Sequence, residues 1–184
     1  MPVIRNAHLY FTSGVTWSLH ANHVPVKARF QQPCVFDASG SRLTTFKSLM
    51  TPEAFLAILN SGVFSYYLKK FIKHNQDVEI NDVRMMPVVM PSRAQEKRLD
   101  ELARWAMDAK RLTFLRTTPT NELAVAVRGL SDEILAKAPA YLHPSAQLKL
   151  LHTAADCLAI IELAVNWEAE KLYGVEGMGP FDEF

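Results

Sequence analysis

The sequence predicts an α+β fold, a small β-rich N-terminal part packed with several α-helices that include a long C-terminal helix. Three observations predict it. Residues 8–46 mix β-branched and aromatic side chains with glycine, proline and the turn-forming run DASG. A Thr-Pro pair at 51–52 opens a run of apolar residues at helical spacing. Two later stretches, starting at Ser92 and Pro144, carry apolar stripes with a three-four period.

Taken in order, HLYFTSG, VTWS, VPVKARF and PCVFDASGSRLTTF read as short strands joined by turns. The segment TPEAFLAILNSGVFSYYLKKFIK reads as a helix with Thr51 as N-cap and Pro52 in its first position. Gly62 in its middle costs about 1 kcal/mol relative to alanine, which marks a break or a close packing contact. Lys69, Lys70 and Lys73 at its end complement the negative pole of the helix dipole. The prolines of HNQDVEINDVRMMPVVMP exclude a continuous helix there, so residues 74–77 read as a loop and 78–90 as extended. Ser92 and Gln95 stand at capping-box spacing before a helix whose apolar stripe is Leu99, Leu102, Ala106 and Ala109. TPTNELAVAVRGLSDEILAKAP reads as a shorter helical region interrupted near Gly129. From Pro144 to about Tyr173 the stripe of Leu151, Ala154, Leu158, Ile161, Val165 and Leu172, broken by Glu168, suits a helix pair better than an isolated coiled coil. Residues 1–112 are expected to form one α+β region and 113–184 a helical extension packed with it.

Composition excludes several classes. At 49% hydrophobic and 21% charged residues, the chain can bury a core and is not intrinsically disordered. No apolar run approaches the roughly 18 residues of a membrane span, and the opening MPVIRNAHLYF lacks the order of a signal peptide, so the cytoplasm is the expected compartment. Cys34 and Cys157 are too few and too distant for a disulfide framework or a cysteine zinc site, and read as buried thiols. The net charge of +1 hides an asymmetry. Lys and Arg outnumber Asp and Glu eight to two in residues 1–76, a balance of +6, and are outnumbered twelve to seventeen in the remainder, a balance of −5. A polyanion is drawn to the first part and repelled by the second.

Catalytic signatures are missing. The chain has no Gly-rich phosphate loop, no G-x-S-x-G, no H-E-x-x-H and no His/Asp/Glu run with metal-ligand spacing. The run DAK at Asp108–Lys110 imitates half of a nuclease site, but on a helix such a pair reads first as a solvated face. The chain by itself is therefore expected not to be an enzyme.

Four blocks in fixed order carry a resemblance. GVTWS, then KARFQQPCVFDASGS, then FLAILNSGVFSYYLKKF, then VEINDVRMMPVVMPSRAQEKRLDELARWA together resemble the C-terminal target-recognition region of Type IIG and BREX-like restriction–modification DNA adenine methyltransferases. The likeness extends, more loosely, to TaqI-like specificity domains and Type I specificity subunits, and covers about residues 10–112. It implies a module that binds double-stranded DNA, selects the sequence to be methylated and partners a methyltransferase catalytic domain or subunit. That domain would bind S-adenosylmethionine and carry an Asn/Asp-Pro-Pro-Tyr/Phe motif; neither feature occurs in this chain, which implies no cofactor for the chain itself.

Charge and resemblance together nominate a DNA-contacting set. Lys69, Lys70 and Lys73 would hold phosphates while His74, Asn75 and Gln76 follow them, the two amides able to read a base edge. Helix capping followed by an Asx-type turn accounts for the same residues without DNA. Lys27 and Arg29, two apart, would share one face of a strand. Trp17 either stacks on a base or sugar or anchors a small β core; the core is favoured, with Thr16 and Ser18 then facing outward to phosphate. A competing reading makes the chain a helical protein–protein docking module of a multi-subunit complex, its basic segment serving solubility alone.

Overall fold

The computed structural model describes residues 7–20, 26–35, 41–43, 50–73, 77–115, 120–144, 146 and 151–176. Its architecture is α+β, with a small antiparallel sheet, helices and a long C-terminal helix. Two compact units divide it, residues up to Met90 and Pro91–Gly179. The division lies at residue 90, ahead of the helix that follows, whereas the expected region boundary of 112 lies inside that helix.

The first unit is built on three strands, β1 (Gly14–Trp17), β2 (Ala28–Gln31) and β3 (Arg42–Leu43), in the order β2-β1-β3. Val15 pairs with Phe30 on one side and Leu43 on the other, so an apolar row crosses the sheet. Thr16 pairs with Arg29 and Arg42, so the opposite face carries a cationic row. Gly14 is required for contact: a Cβ there would lie 2.4 Å from the Leu43 carbonyl oxygen and 2.9 Å from Arg42 Nε. The segment His8–Leu9, expected to open a strand, lies in a short 3-10 turn, Ala7–Leu9.

The long helix expected from Thr51 is broken in two. Helix α1 (Pro52–Leu59) starts where the Thr51 hydroxyl accepts from the Ala54 N–H, and α2 (Gly62–Tyr67) starts where Ser61 accepts from Phe64. Ser61 Oγ also donates to the Ile58 carbonyl, closing α1 with the residue that opens α2. The intervening Asn60 joins the helices to the sheet. Its side-chain amide accepts from the Ala28 N–H at 3.0 Å and donates to the Ala28 carbonyl at 3.1 Å, as a paired strand would. After α2 the chain continues into a π turn, Leu68–Ile72, closed by an i to i+5 bond from the Lys73 N–H to the Leu68 carbonyl at 2.8 Å. The stretch expected to be extended from 78 holds a short helix, α3 (Ile80–Met85), because the Asp82 carboxylate accepts from the Glu79 N–H and ties its first turn. Extended chain starts only after it.

The second unit contains α4 (Arg93–Phe114), α5 (Thr120–Lys137) and α6 (Ala154–Tyr173). Ser92 and Gln95 form the expected capping box, Gln95 N–H to Ser92 Oγ and Ser92 N–H to Gln95 Oε1. Leu99, Leu102 and Ala109 are buried as the stripe requires, together with Ala103 and Trp105, while Ala106 is half-buried. Helix α5 runs unbroken through Gly129, which points to open space, because Val127, Leu130 and Ile134 around it bury a common stripe. Helix α6 begins at Ala154, ten residues after the expected start. Its N-terminus is fixed by a capping box in which Thr153 Oγ1 accepts from the Asp156 N–H and Asp156 accepts from the Thr153 N–H. Glu168, which breaks the apolar stripe, is fully buried on α6, held by Arg98 Nε of α4 at 2.9 Å and by Lys171. Among the described residues no helix is long and apolar enough to cross a membrane. Both cysteines are free thiols: Cys157 is buried, and Cys34 is half-buried beside the Gln31 amide rather than fully enclosed.

Candidate nucleic-acid interface

The sheet decides the fate of the GVTWS block. β1 is the middle strand, so both its edges are paired, and all four of its residues are buried, so both its faces are covered. Trp17 is only 2% exposed and its indole Nε1–H donates to the Val78 carbonyl at 3.1 Å, which makes it a core anchor and removes it from any stacking surface. Thr16 corrects the expectation of an outward hydroxyl. It is buried, and Oγ1 donates to the Ser41 carbonyl at 2.7 Å, so the side chain lies on the polar face but under the residues that cover it. Ser18, just past the strand, is exposed.

Lys27 and Arg29 stand as the spacing requires. Both are exposed, one immediately before edge strand β2 and the other within it, and neither is in an ion pair among the described residues. Arg29 lies opposite Thr16, and beyond Thr16 stands Arg42, whose guanidinium is buried and donates to the Cys34 carbonyl and to Thr12 Oγ1. The polar face therefore has an anchored arginine on one side and two solvent-facing cations on the other.

The lysines after α2 are differently placed. Lys73 is drawn inward, its Nζ at 3.1 Å from both Glu79 and Asp82, and those hydrogen bonds raise its pKa. Lys69 is half-buried; desolvation lowers its pKa against the opposing pull of Asp77 and Asp82. Lys70 alone of the three is largely exposed. The expectation that all three lysines offer charge to phosphate is thus corrected for Lys73, whose charge is matched by two acids of α3 and its cap. His74, Asn75 and Gln76 lie outside the described residues. Arg84, close in sequence to Asp82, is exposed and has no ion-pair partner among the described residues, since Asp82 serves Lys73.

No known protein family, curated protein or solved structure matches the chain.

Sequence reasoning missed three contributors. Arg42 becomes relevant only through its register with Thr16, which a two-residue strand does not announce. Asn60 was visible as part of LNS, but its bonds to Ala28 depend on tertiary approach. Phe71 was read only as part of the helix after Thr51, without a role, and it stands 64% exposed on the π turn. Chemically, the exposed groups are the cations Lys27, Arg29 and Lys70 and the Ser18 hydroxyl, types suited to holding an anionic backbone. Among the described residues no three His, Cys, Asp or Glu gather where they could hold a metal ion.

Proposed function

We propose that this chain is a DNA-binding target-recognition module that works with an S-adenosylmethionine-dependent DNA adenine methyltransferase, contacting duplex phosphates through the polar face of its sheet. The observation that carries the reading is the pair Lys27 and Arg29, exposed side by side along edge strand β2 of a sheet whose other face is apolar. The surplus of cations in residues 1–76 supports the same surface. The order of the GVTWS, LNS and capped-helix blocks supports the methyltransferase connection, and the catalytic chemistry and its cofactor belong to the partner domain.

Binding of the chain to a randomised duplex pool at two salt concentrations tests the first part. Lys27→Ala and Arg29→Ala should weaken binding to all sequences alike, each reducing the salt slope by about one unit. Unchanged affinity and slope in the double variant would remove the sheet face from the reading. The methyltransferase part is tested by mixing the chain with catalytic domains encoded beside it and measuring adenine methylation of the selected sequences. A second reading, a protein–protein docking module, is favoured by the exposed Phe114, Val125 and Leu163 of the second unit, and it gains if no DNA binding is found.

A further inference from the structure

Three aromatic rings meet at the π turn of the first unit. On an α-helix, with 3.6 residues per turn, residues 66 and 71 lie on different sides, whereas 67 and 71 are neighbours. The wider turn at Leu68–Ile72 changes this by bringing Phe71 beside both tyrosines. Its ring centroid stands 6.1 Å from that of Tyr66 and 5.5 Å from that of Tyr67, while the tyrosines meet edge to face at 6.0 Å. Tyr66 and Tyr67 are half-buried and fix the position of the third ring, which remains 64% exposed. Lys70, exposed, precedes Phe71 directly, and Lys69 lies one residue further back.

Two features set this patch apart from a stray surface phenylalanine. The π turn is an uncommon conformation that recurs at functional sites, and here its geometric effect is to support one exposed ring with two others. The neighbouring cations favour a flat, electron-rich partner attached to negative charge over an apolar protein surface. We propose that Phe71 is a stacking platform for an unstacked nucleobase of the bound DNA, Lys70 holding the adjoining phosphate. The proposal rests on the DNA-binding reading and gives it the aromatic contact that Trp17, buried in the core, does not supply.

The test titrates the full chain against a duplex carrying one bulged 2-aminopurine and against its fully paired counterpart. The unaltered chain should bind the bulged duplex more tightly and quench the 2-aminopurine fluorescence. Phe71→Ala should lose that advantage by roughly five- to a hundredfold and abolish the quenching. Phe71→Trp should retain both, and Phe71→Leu, apolar but without a π face, should behave like the alanine variant. Should Phe71→Ala lower the melting temperature, the leucine and tryptophan variants decide between the outcomes. If all three variants bind the bulged duplex like the unaltered chain while Lys27→Ala weakens both duplexes, the platform is overturned and the DNA reading stands. If the unaltered chain binds neither duplex, both fall.

Discussion

At the scale of single residues, Trp17 couples the sheet to the segment after the π turn, since its ring fills the core and its indole N–H reaches Val78. Trp17→Ala removes that ring from a fully enclosed position and should cost about 3–5 kcal/mol, measurable as a fall in the urea midpoint. Trp17→Phe keeps most of the volume but leaves the Val78 carbonyl without its donor, for a smaller loss of about 1–3 kcal/mol. If the alanine variant instead kept full stability and lost DNA affinity, Trp17 would be a contact residue and the core assignment would fail. Burial of this tryptophan was legible in the sequence because large aromatics in short strands have few other places to go. The burial of Thr16 was not, since strand alternation assigns a residue to a face without saying what covers that face.

At the scale of elements, the second unit is joined by two polar networks. Arg98, in the second turn of α4, meets Glu168, near the end of α6, and Lys171 completes the group. Arg98→Ala takes away one cation from a carboxylate that is 1% exposed, so it should destabilise by an amount near the low end of about 3–5 kcal/mol, Lys171 remaining in place. Adding Glu168→Leu should restore part of that loss; a double variant less stable than the single would show that the ion pair has a further structural role. Between α4 and the end of α5, Glu101 is held by Lys137 and Tyr141. Burial alone would raise the Glu101 pKa, but the hydrogen bonds from Lys137 and Tyr141 outweigh it and lower it. Burial and the Glu101 carboxylate push the Tyr141 phenol up to about 12. The signs follow. The folded state binds the phenolic proton more tightly, so that contribution is complete below the unfolded value of about 10 and is lost as pH rises through about 12. The Glu101 contribution is present above the ordinary carboxylate range and lost as pH falls below it. Tyr141→Phe should therefore lower stability near neutrality and flatten its alkaline decline, read from denaturant midpoints across that range; an unchanged alkaline slope would count against the network. Helix starts with local caps, at Thr51 and Ser92, were legible because the responsible residues are three apart. The start of α6 was missed even though Thr153 and Asp156 carry the same signature, because the apolar stripe from Leu151 onward masked the cap. Gly129 misled in the other direction, its intrinsic cost of about 1 kcal/mol being outweighed by the packing of its neighbours.

At the scale of the whole molecule, the surplus of cations is confined to residues 1–76, which predicts unequal sensitivity along the chain. Reversing Asp108, exposed and paired with Arg111, should barely change DNA affinity, whereas loss of Lys27 or Arg29 should lower both affinity and salt slope. Comparable losses in the two sets, read from the same titration, would contradict a division of labour between the units. The α+β class was legible because hydrophobic period changes along the chain; the division at residue 90 was not, since the prolines around it resemble any other connection. One local feature also bears on how a further strand could join the sheet. A β-sheet edge is a template on which another chain can add a strand, and the route from there leads to aggregation. The Asn60 amide occupies both backbone groups of Ala28 on the outer edge of β2. An incoming strand would find its hydrogen-bonding ladder already interrupted at Ala28, so the residue that fastens helix to sheet also blunts this edge against strand addition.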